Sequence, residues 1–325
     1  MQKRMLYALL LLGLVLAPLA GAYPLFMMKV MCFALFAAAF NLLLGYTGLL
    51  SFGHAMFLAT AGYVTGYTIQ TLGLTPELGV IAGTLAATLL GLIVGFFAIR
   101  RQGIYFAMVT LAFAQMVYFV YLQAPFTHGE DGLQGVPRGA LLGLLDLSSD
   151  LTLYYVVLVV MVLAFALIVR IVHSPFGQVL VALKENEARA VSLGYDTSRF
   201  KLLAFVLSAG LAGLAGSMKV LVLGFETLGD AYWTMSGLVV LMTLVGGMGT
   251  LFGPLLGAAL IVTLEDRLGD MGAALASLTG VEWFRALGES VTIVTGVIFI
   301  VCVLAFRRGI VGEIVARVRL ARSPG

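Results

Sequence analysis

"NLLLGYTGLLSFGHAMF", residues 41–57, decides how the rest of this chain is read. An apolar run from Phe26 to Phe40 precedes it, and another extends from Ala55 to about Thr71. Between them stand Gly45, Gly48, Ser51, Gly53 and His54. A bilayer-spanning helix needs about 20 predominantly apolar residues in succession. Three glycines, a serine and a histidine therefore break the helix where it should run on.

A second stretch is built the same way. "GGMGTLFGP" interrupts the apolar run 236–264 and supplies Gly246, Gly247, Gly249, Phe252 and Gly253, against Gly45, Gly48, Phe52 and Gly53 in the first. One break lies in each half of the chain, which is the pattern of a translocation pathway. Backbone freed from a helix cannot face lipid, so such breaks sit where protein or a water-lined cavity covers them. Their free N–H and C=O groups can then meet a polar solute. Close packing of small residues is the competing account. Asn41 and His54 have two accounts as well: hydrogen-bonded packing residues, or ligands of a solute.

Composition places the chain in lipid. Of its 325 residues 61% are hydrophobic and 11% charged, with a mean hydropathy of +1.07. Soluble domains carry about 25% charged residues. Cys32 and Cys302 lie far apart in apolar runs, and His54, His128 and His173 are widely separated, so neither type suggests a metal site.

Apolar runs predict spans near 5–22, 25–44, 55–73, 77–99, 104–122, 151–172, 200–222 and 288–306. "MQKR" before the first run resembles a signal peptide with an A-x-A-like site at Ala20 and Ala22; a retained first helix is the favoured reading. Basic residues choose the cytoplasmic side. Lys3, Arg4, Arg100, Arg101 and Arg170, the cluster Lys184, Arg189, Arg199 and Lys201, and the tail residues Arg307, Arg308, Arg317, Arg319 and Arg322 belong inside. Residues 123–150 carry Glu130, Asp131, Asp146 and Asp150 against Arg138 and belong outside, as a periplasmic loop. Both ends are cytoplasmic only if 236–264 crosses an even number of times, turning at Gly246–Pro254. The expected fold is an all-α integral membrane protein of about ten transmembrane helices, some short or re-entrant. The chain forms one transmembrane domain, 1–325, with a polar loop at 173–199 and a cytoplasmic tail at 307–325.

Within that polar loop, "SPFGQVLVALKENEARAVSLGYDTSRFKL" predicts one amphipathic helix from Gly177 to Gly194. Val179, Leu180, Leu183, Ala190 and Val191 form its apolar stripe, Lys184, Glu185, Arg189 and Ser192 its polar face, and Glu187 falls among the apolar residues. The mixed charges fit docking on a soluble subunit better than lying in the lipid interface.

"ENEARAVSLGYDTSRFKLLAFVLSAGLAGLAGSM" resembles the cytoplasmic loop and following helix of ABC importer permeases of the branched-chain amino acid family, the LivM-like branch. "FNLLLGYTGLLSFGHAMF", "RRQGIYFAMVTLAFAQM", "GEDGLQGVP", "LVGGMGTLFGPLLGAAL" and "RRGIVG" extend the resemblance, in order, over most of 25–313. Relatives carrying urea, amides or aromatic acids are similar too. The resemblance makes 177–194 a coupling helix with a Glu-Ala-Ala…Gly pattern. Glu187, Ala188 and Arg189 occupy its first three positions, and Gly194 follows the glutamate by seven. Glu185, Glu187 and Arg189 are then the expected docking residues, with Lys184 beside them and Gly194 ending the helix. In the outer loop the family's Thr-Gly-Gly is Thr127, His128, Gly129 here.

The implied partners are a second, LivH-like permease, two P-loop ATPases and a periplasmic binding protein in a bacterial inner membrane. The chain has no G-x-x-x-x-G-K-[ST] motif, so ATP and Mg²⁺ are expected on the ATPases and no cofactor on this chain. An autonomous ion-coupled carrier would need ionisable groups at membrane depth, and few stand there. Lys29 and Lys219 fall near predicted span ends, and Glu226 and Asp230 in an outer loop. A Ser51–His54 catalytic pair lacks an orienting acid nearby, and Glu265 and Asp266 are adjacent, hence on different helical faces.

Overall fold

The computed structural model describes residues 12–18, 21, 23–143, 145–279, 293–294, 296–297, 300–301 and 309–313. Its helices are α1 (Pro24–Thr47), α2 (His54–Gln70), α3 (Pro76–Ala98), α4 (Ile104–Gln123), α5 (Asp150–Val172), α6 (Pro175–Glu185), α7 (Glu187–Ser192), α8 (Thr197–Leu223), α9 (Leu228–Ala231), α10 (Trp233–Gly246) and α11 (Gly253–Thr279). Among the described residues, α1, α3, α4, α5 and α8 are long and apolar enough to cross a membrane. The expected spans near 5–22 and 288–306 and the tail 307–325 fall largely outside the described residues.

Helix α1 is apolar on all sides, and 83% of its spanning window is buried, against 28% for each of α3, α4 and α5. An all-round apolar helix can face lipid or the bundle interior; α1 is inside, where the amide of Asn41 finds partners. Helix α8 packs beside α1, α2 and α3 in the same core. Helix α3 shows why these helices close up. Leu78, Ile81, Leu85, Leu89, Leu92 and Phe96 are exposed apolar residues on one side. Gly79, Gly83, Ala87, Gly91 and Gly95, four apart, are buried on the other. A Cβ at Gly91 would lie 2.4 Å from Ala209 Cβ, so only a glycine lets α3 approach α8 this closely. Lipid provides no hydrophobic drive between helices, and such close contact supplies dispersion energy instead.

The two loop regions occupy opposite ends of α8. At its C-terminal end, β1 (Leu133–Gln134) pairs antiparallel with β4 (Phe225–Glu226), and the Val136 N–H donates to Gly224 O at 2.8 Å. A second pair, β2 (Ala140–Leu141) with β3 (Leu145–Asp146), lies in the same loop. These ladders correct the all-α expectation locally: irregular backbone outside the helices still needs partners. Arg138 ties the loop down, pairing with Asp150 at 2.5 Å and donating to Val222 O at 3.2 Å. His128 adopts φ 60°, ψ 21°, so the left-handed turn survives without glycine at that position.

At the N-terminal end of α8, the expected single helix 177–194 is two. Asn186 has φ −158° and ψ 96°, and its side chain caps α7 by accepting from the Arg189 N–H at 3.0 Å. Asparagine as an N-cap offers the backbone an alternative to continuing α6. Leu180, Leu183 and Ala190 are buried against Ala204, while Val191, expected in the stripe, is exposed because α7 changes direction. Gly194, at φ 89°, ends the segment as expected.

Helices α10 and α11 form an antiparallel hairpin: a Cβ on Gly246 would meet Gly253 O, and one on Gly257 would meet Met242 O. It turns through 247–252, where the sequence placed the turn. Helix α10 has 14 residues, so it is only about 21 Å long, short of the roughly 30 Å hydrocarbon core.

Candidate functional site: the paired glycine breaks

The first break begins with Gly48, which closes α1 at φ 74° with its N–H on Leu44 O at 3.2 Å. Residues 49–53 then turn back, and α2 starts at His54, beside Ser208 well inside α8. Starting that deep makes α2 only 17 residues long. Side chains satisfy the amides freed by the break. Phe52 N–H donates to Thr110 Oγ1 at 3.2 Å, Gly53 N–H to Ser51 Oγ at 3.2 Å, and Ala55 N–H to Ser236 Oγ at 2.9 Å.

The second break ends α10 with Gly247 at φ 124°, followed by Gly249 at φ 76°. Thr250 folds the loop onto itself: its hydroxyl donates to Gly247 O at 2.7 Å and accepts from the Gly253 N–H at 3.0 Å. Gly309, from the stretch 309–313, packs on Gly247; a Cβ there would lie 2.4 Å from the Gly247 Cα.

Tertiary structure brings the breaks together. Asn41, one turn before Gly45 on α1, is 3% exposed and clamps the second break with both ends of its carboxamide. Its Nδ2–H donates to Thr250 O at 2.9 Å, and its Oδ1 accepts from the Gly249 N–H at 2.9 Å. A Cβ on Gly45 would stand 2.2 Å from Asn41 Oδ1 and 2.8 Å from Gly249 N. Glycine at 45 is what admits both the clamp and the second loop. Lys184, at the end of α6, then reaches the same spot, donating to Gly45 O at 2.7 Å.

His54 takes a different place. Its Nε2 lies 2.8 Å from Ser208 Oγ, whose hydroxyl donates to Ala39 O at 2.6 Å, so Nε2 is the protonated nitrogen. Phe40, Phe57 and Phe205 pack edge-on around the ring. Ser51 accepts from Gly53 instead, so no Ser51–His54 pair forms. Gly246 and Gly253 touch within the α10–α11 turn.

Of the expected docking residues, Glu185 and Arg189 are exposed, as are Lys184 and Ala188 beside them. Glu187 is half-buried and held inward by Lys201 Nζ at 2.6 Å and Gln102 Nε2 at 3.2 Å. Glu187, Ala188, Lys201 and Gln102 line an open cavity of about 560 Å³ with Ile99, Arg100, Val191, Thr197 and Ser198.

At the opposite end lies a charged centre that the sequence reading dispersed. Lys219, buried near the end of α8, pairs with Asp230 Oδ1 at 2.6 Å and Glu226 Oε2 at 3.2 Å. Gly62 on α2 makes room, since a Cβ there would meet the Glu226 carboxyl at 2.5 Å. Burial pushes the Glu226 carboxyl well above the usual range. Burial acts on Asp230 too, but Lys219 and Thr227 hold it below its ordinary value. The signal was legible: a lysine inside an apolar run demands a carboxylate, and two lie within the next eleven residues. No group of metal-ligating side chains occurs among the described residues.

The family "Branched-chain amino acid transport system / permease component" matches residues 23–303. The high-affinity branched-chain amino acid transport system permease protein LivM of Escherichia coli is 31% identical over 74% of this chain and 62% of its own length. The ribose import permease protein RbsC of Bacillus subtilis is 30% identical over 46% of this chain and 44% of its own. The autoinducer 2 import system permease protein LsrC of Yersinia pseudotuberculosis is 26% identical over 64% and 61%. The chain thus spans about 62% of the length of the LivM relatives it matches. No solved structure matches it. The matched span takes in α1 to α11, both glycine breaks and the α6–α7 hairpin, and the chain belongs to the branched-chain amino acid transport system permease component family.

Proposed function

We propose that this chain is the transmembrane permease subunit of an ATP-driven ABC importer that carries branched-chain or other apolar amino acids across a bacterial inner membrane. The meeting of both glycine breaks beside the polar α6–α7 hairpin carries the reading. A pathway made of broken helices needs its breaks at one place, and an ATP-driven gate needs them within reach of a cytoplasmic lever.

On this reading the α6–α7 end faces the cytoplasm, residues 123–150 face the periplasm, and about ten helices put both chain ends inside. A second LivH-like permease completes the pathway. Two P-loop ATPases, which hold ATP and Mg²⁺, dock around the exposed Glu185, Ala188 and Arg189. A periplasmic binding protein delivers the solute. ATP biases two packings of the bundle that differ by a few kcal/mol.

The wall near the breaks is aliphatic with an amide, hydroxyls and backbone dipoles, which suits a small zwitterion with an apolar side chain. The relatives named for ribose and autoinducer 2 support a second reading, a different small solute on the same scaffold. Reconstitution with the partner subunits and binding protein tests both. ATP-dependent leucine uptake exceeding that of ribose and urea is expected; uptake of ribose or urea in preference would overturn the amino-acid assignment, and a chain purifying without ATPases would overturn the importer.

A further inference from the structure

Asn41 explains how the second break is held, but the group that reaches the breaks from outside the core is Lys184. Its carbon stem runs past Gly48, where a Cβ would lie 3.1 Å from Lys184 Cγ. Its ammonium donates to Gly45 O at 2.7 Å. A Cβ on Gly249 would lie 3.3 Å from that same carbonyl oxygen and 3.9 Å from the Lys184 nitrogen. One side chain thus bonds the first break and stands beside the second.

The chemistry at the contact is specific. Gly45 O is one of the last four carbonyls of α1, groups left without partners inside a helix, and the negative end of the helix dipole favours a cation there. No carboxylate pairs with Lys184 among the described residues, so its charge is committed to this carbonyl. Its backbone moves with the hairpin: Leu180 and Leu183 flank Lys184 on α6 and are packed with Ala190 of α7 and Ala204 of α8. A tilt of α6–α7 therefore draws the ammonium along or breaks its bond. Because Lys184 is exposed, that bond exchanges with water at little cost, as a reversible latch must. From Gly45 the chain of contacts continues one turn back to Asn41 and on to Thr250 O and Gly249 N.

We propose that Lys184 is the positioning residue that transmits movement of the α6–α7 hairpin to the two glycine breaks, latching them together through the Gly45 carbonyl. The inference rests on the importer reading, and adds to it a physical contact between the lever and the gate.

Met248 is exposed beside the latch and reports on it. In chains carrying Met248→Cys with Cys32→Ala and Cys302→Ala, assembled with the ATPases in proteoliposomes, the rate of maleimide labelling is measured with and without ATP. The latched chain is expected to change its labelling rate with ATP by about tenfold or more, a shift of one discrete packing to another. With Lys184→Met added, the ATPases still co-purify but the ATP-dependent difference falls below about twofold, and Lys184→Arg, which keeps the cation, restores at least about half of it. An ATP-dependent difference unchanged by Lys184→Met overturns the proposal, as does its absence from the chain that retains Lys184. Loss of the ATPases from Lys184→Met alone also overturns it, because Lys184 would then be a docking contact. Failure of the unsubstituted chain to co-purify ATPases would instead be failure of the importer reading itself.

Discussion

The molecule keeps two polar centres at opposite ends of α8, and they are held in opposite ways. At one end Lys219, Glu226 and Asp230 form a buried ion cluster, with Glu226 fully enclosed. At the other, Asn41, Gly45, Gly249 and Thr250 meet through neutral amide and backbone hydrogen bonds, with the Lys184 ammonium at an exposed edge. Breaking a buried ion pair strands a charge, so such a cluster stays shut. A neutral hydrogen bond is worth about 1 kcal/mol net, so the second centre can exchange partners. On the importer reading, one end is the fixed anchor for the loop between α4 and α5 and the other is the part that moves.

The largest expected effect tests the anchor. Lys219→Met leaves two buried carboxylates without their cation and should cost about 3–5 kcal/mol, read as loss of a monodisperse folded peak in detergent. Glu226→Gln should be far milder than Asp230→Asn in a thermal aggregation assay, because Asp230 carries the closer pair. Equal sensitivity of the two would make the cluster a single unit.

Gly45→Ala tests the movable centre. Its methyl cannot coexist with Asn41 Oδ1 and the Gly249 amide, so the breaks should separate and ATP-dependent uptake should fall about tenfold or more, roughly 1.4 kcal/mol in barrier. Gly249→Leu should act likewise, having both a left-handed backbone and the Gly45 carbonyl against it. Normal uptake by both variants would reduce the breaks to packing.

Asn41→Asp comes next. It replaces the donor to Thr250 O with an oxygen and should cost about 1–3 kcal/mol, seen as a lower unfolding midpoint. Smallest of all is Glu187→Gln: Lys201 is buried, but Glu187 is half-buried and the glutamine oxygen can still accept from the ammonium, so about 1 kcal/mol is expected. A much larger loss of ATPase binding would mean that Glu187 also touches the partner.

Much of this was legible in the sequence, for identifiable reasons. Apolar runs of spanning length located α1, α3, α4, α5 and α8, because lipid requires such runs whatever their neighbours. The breaks were visible because their glycines stand close together beside Ser51, His54 or Pro254, unlike the four-apart glycines of the unbroken α3, and the turn between α10 and α11 falls where "GGMGTLFGP" put it. The kink at Asn186 was missed because the apolar spacing continues across it, and only the capping bond to Arg189 reveals it. The Lys219 cluster was missed because its members were assigned to separate segments.

By itself, then, the sequence determined that the chain lives in lipid, where five of its spanning helices run, where glycine-rich turns interrupt the apolar runs and which family it belongs to, since those follow from local composition and spacing. Tertiary structure decided that the two breaks, some 200 residues apart, meet at Gly45 and Gly249, that Asn41 clamps one to the other, and that His54 turns away to Ser208. The physical reason is that a glycine's missing side chain is a local fact, whereas the atom that fills its space arrives from a helix that only the fold brings near.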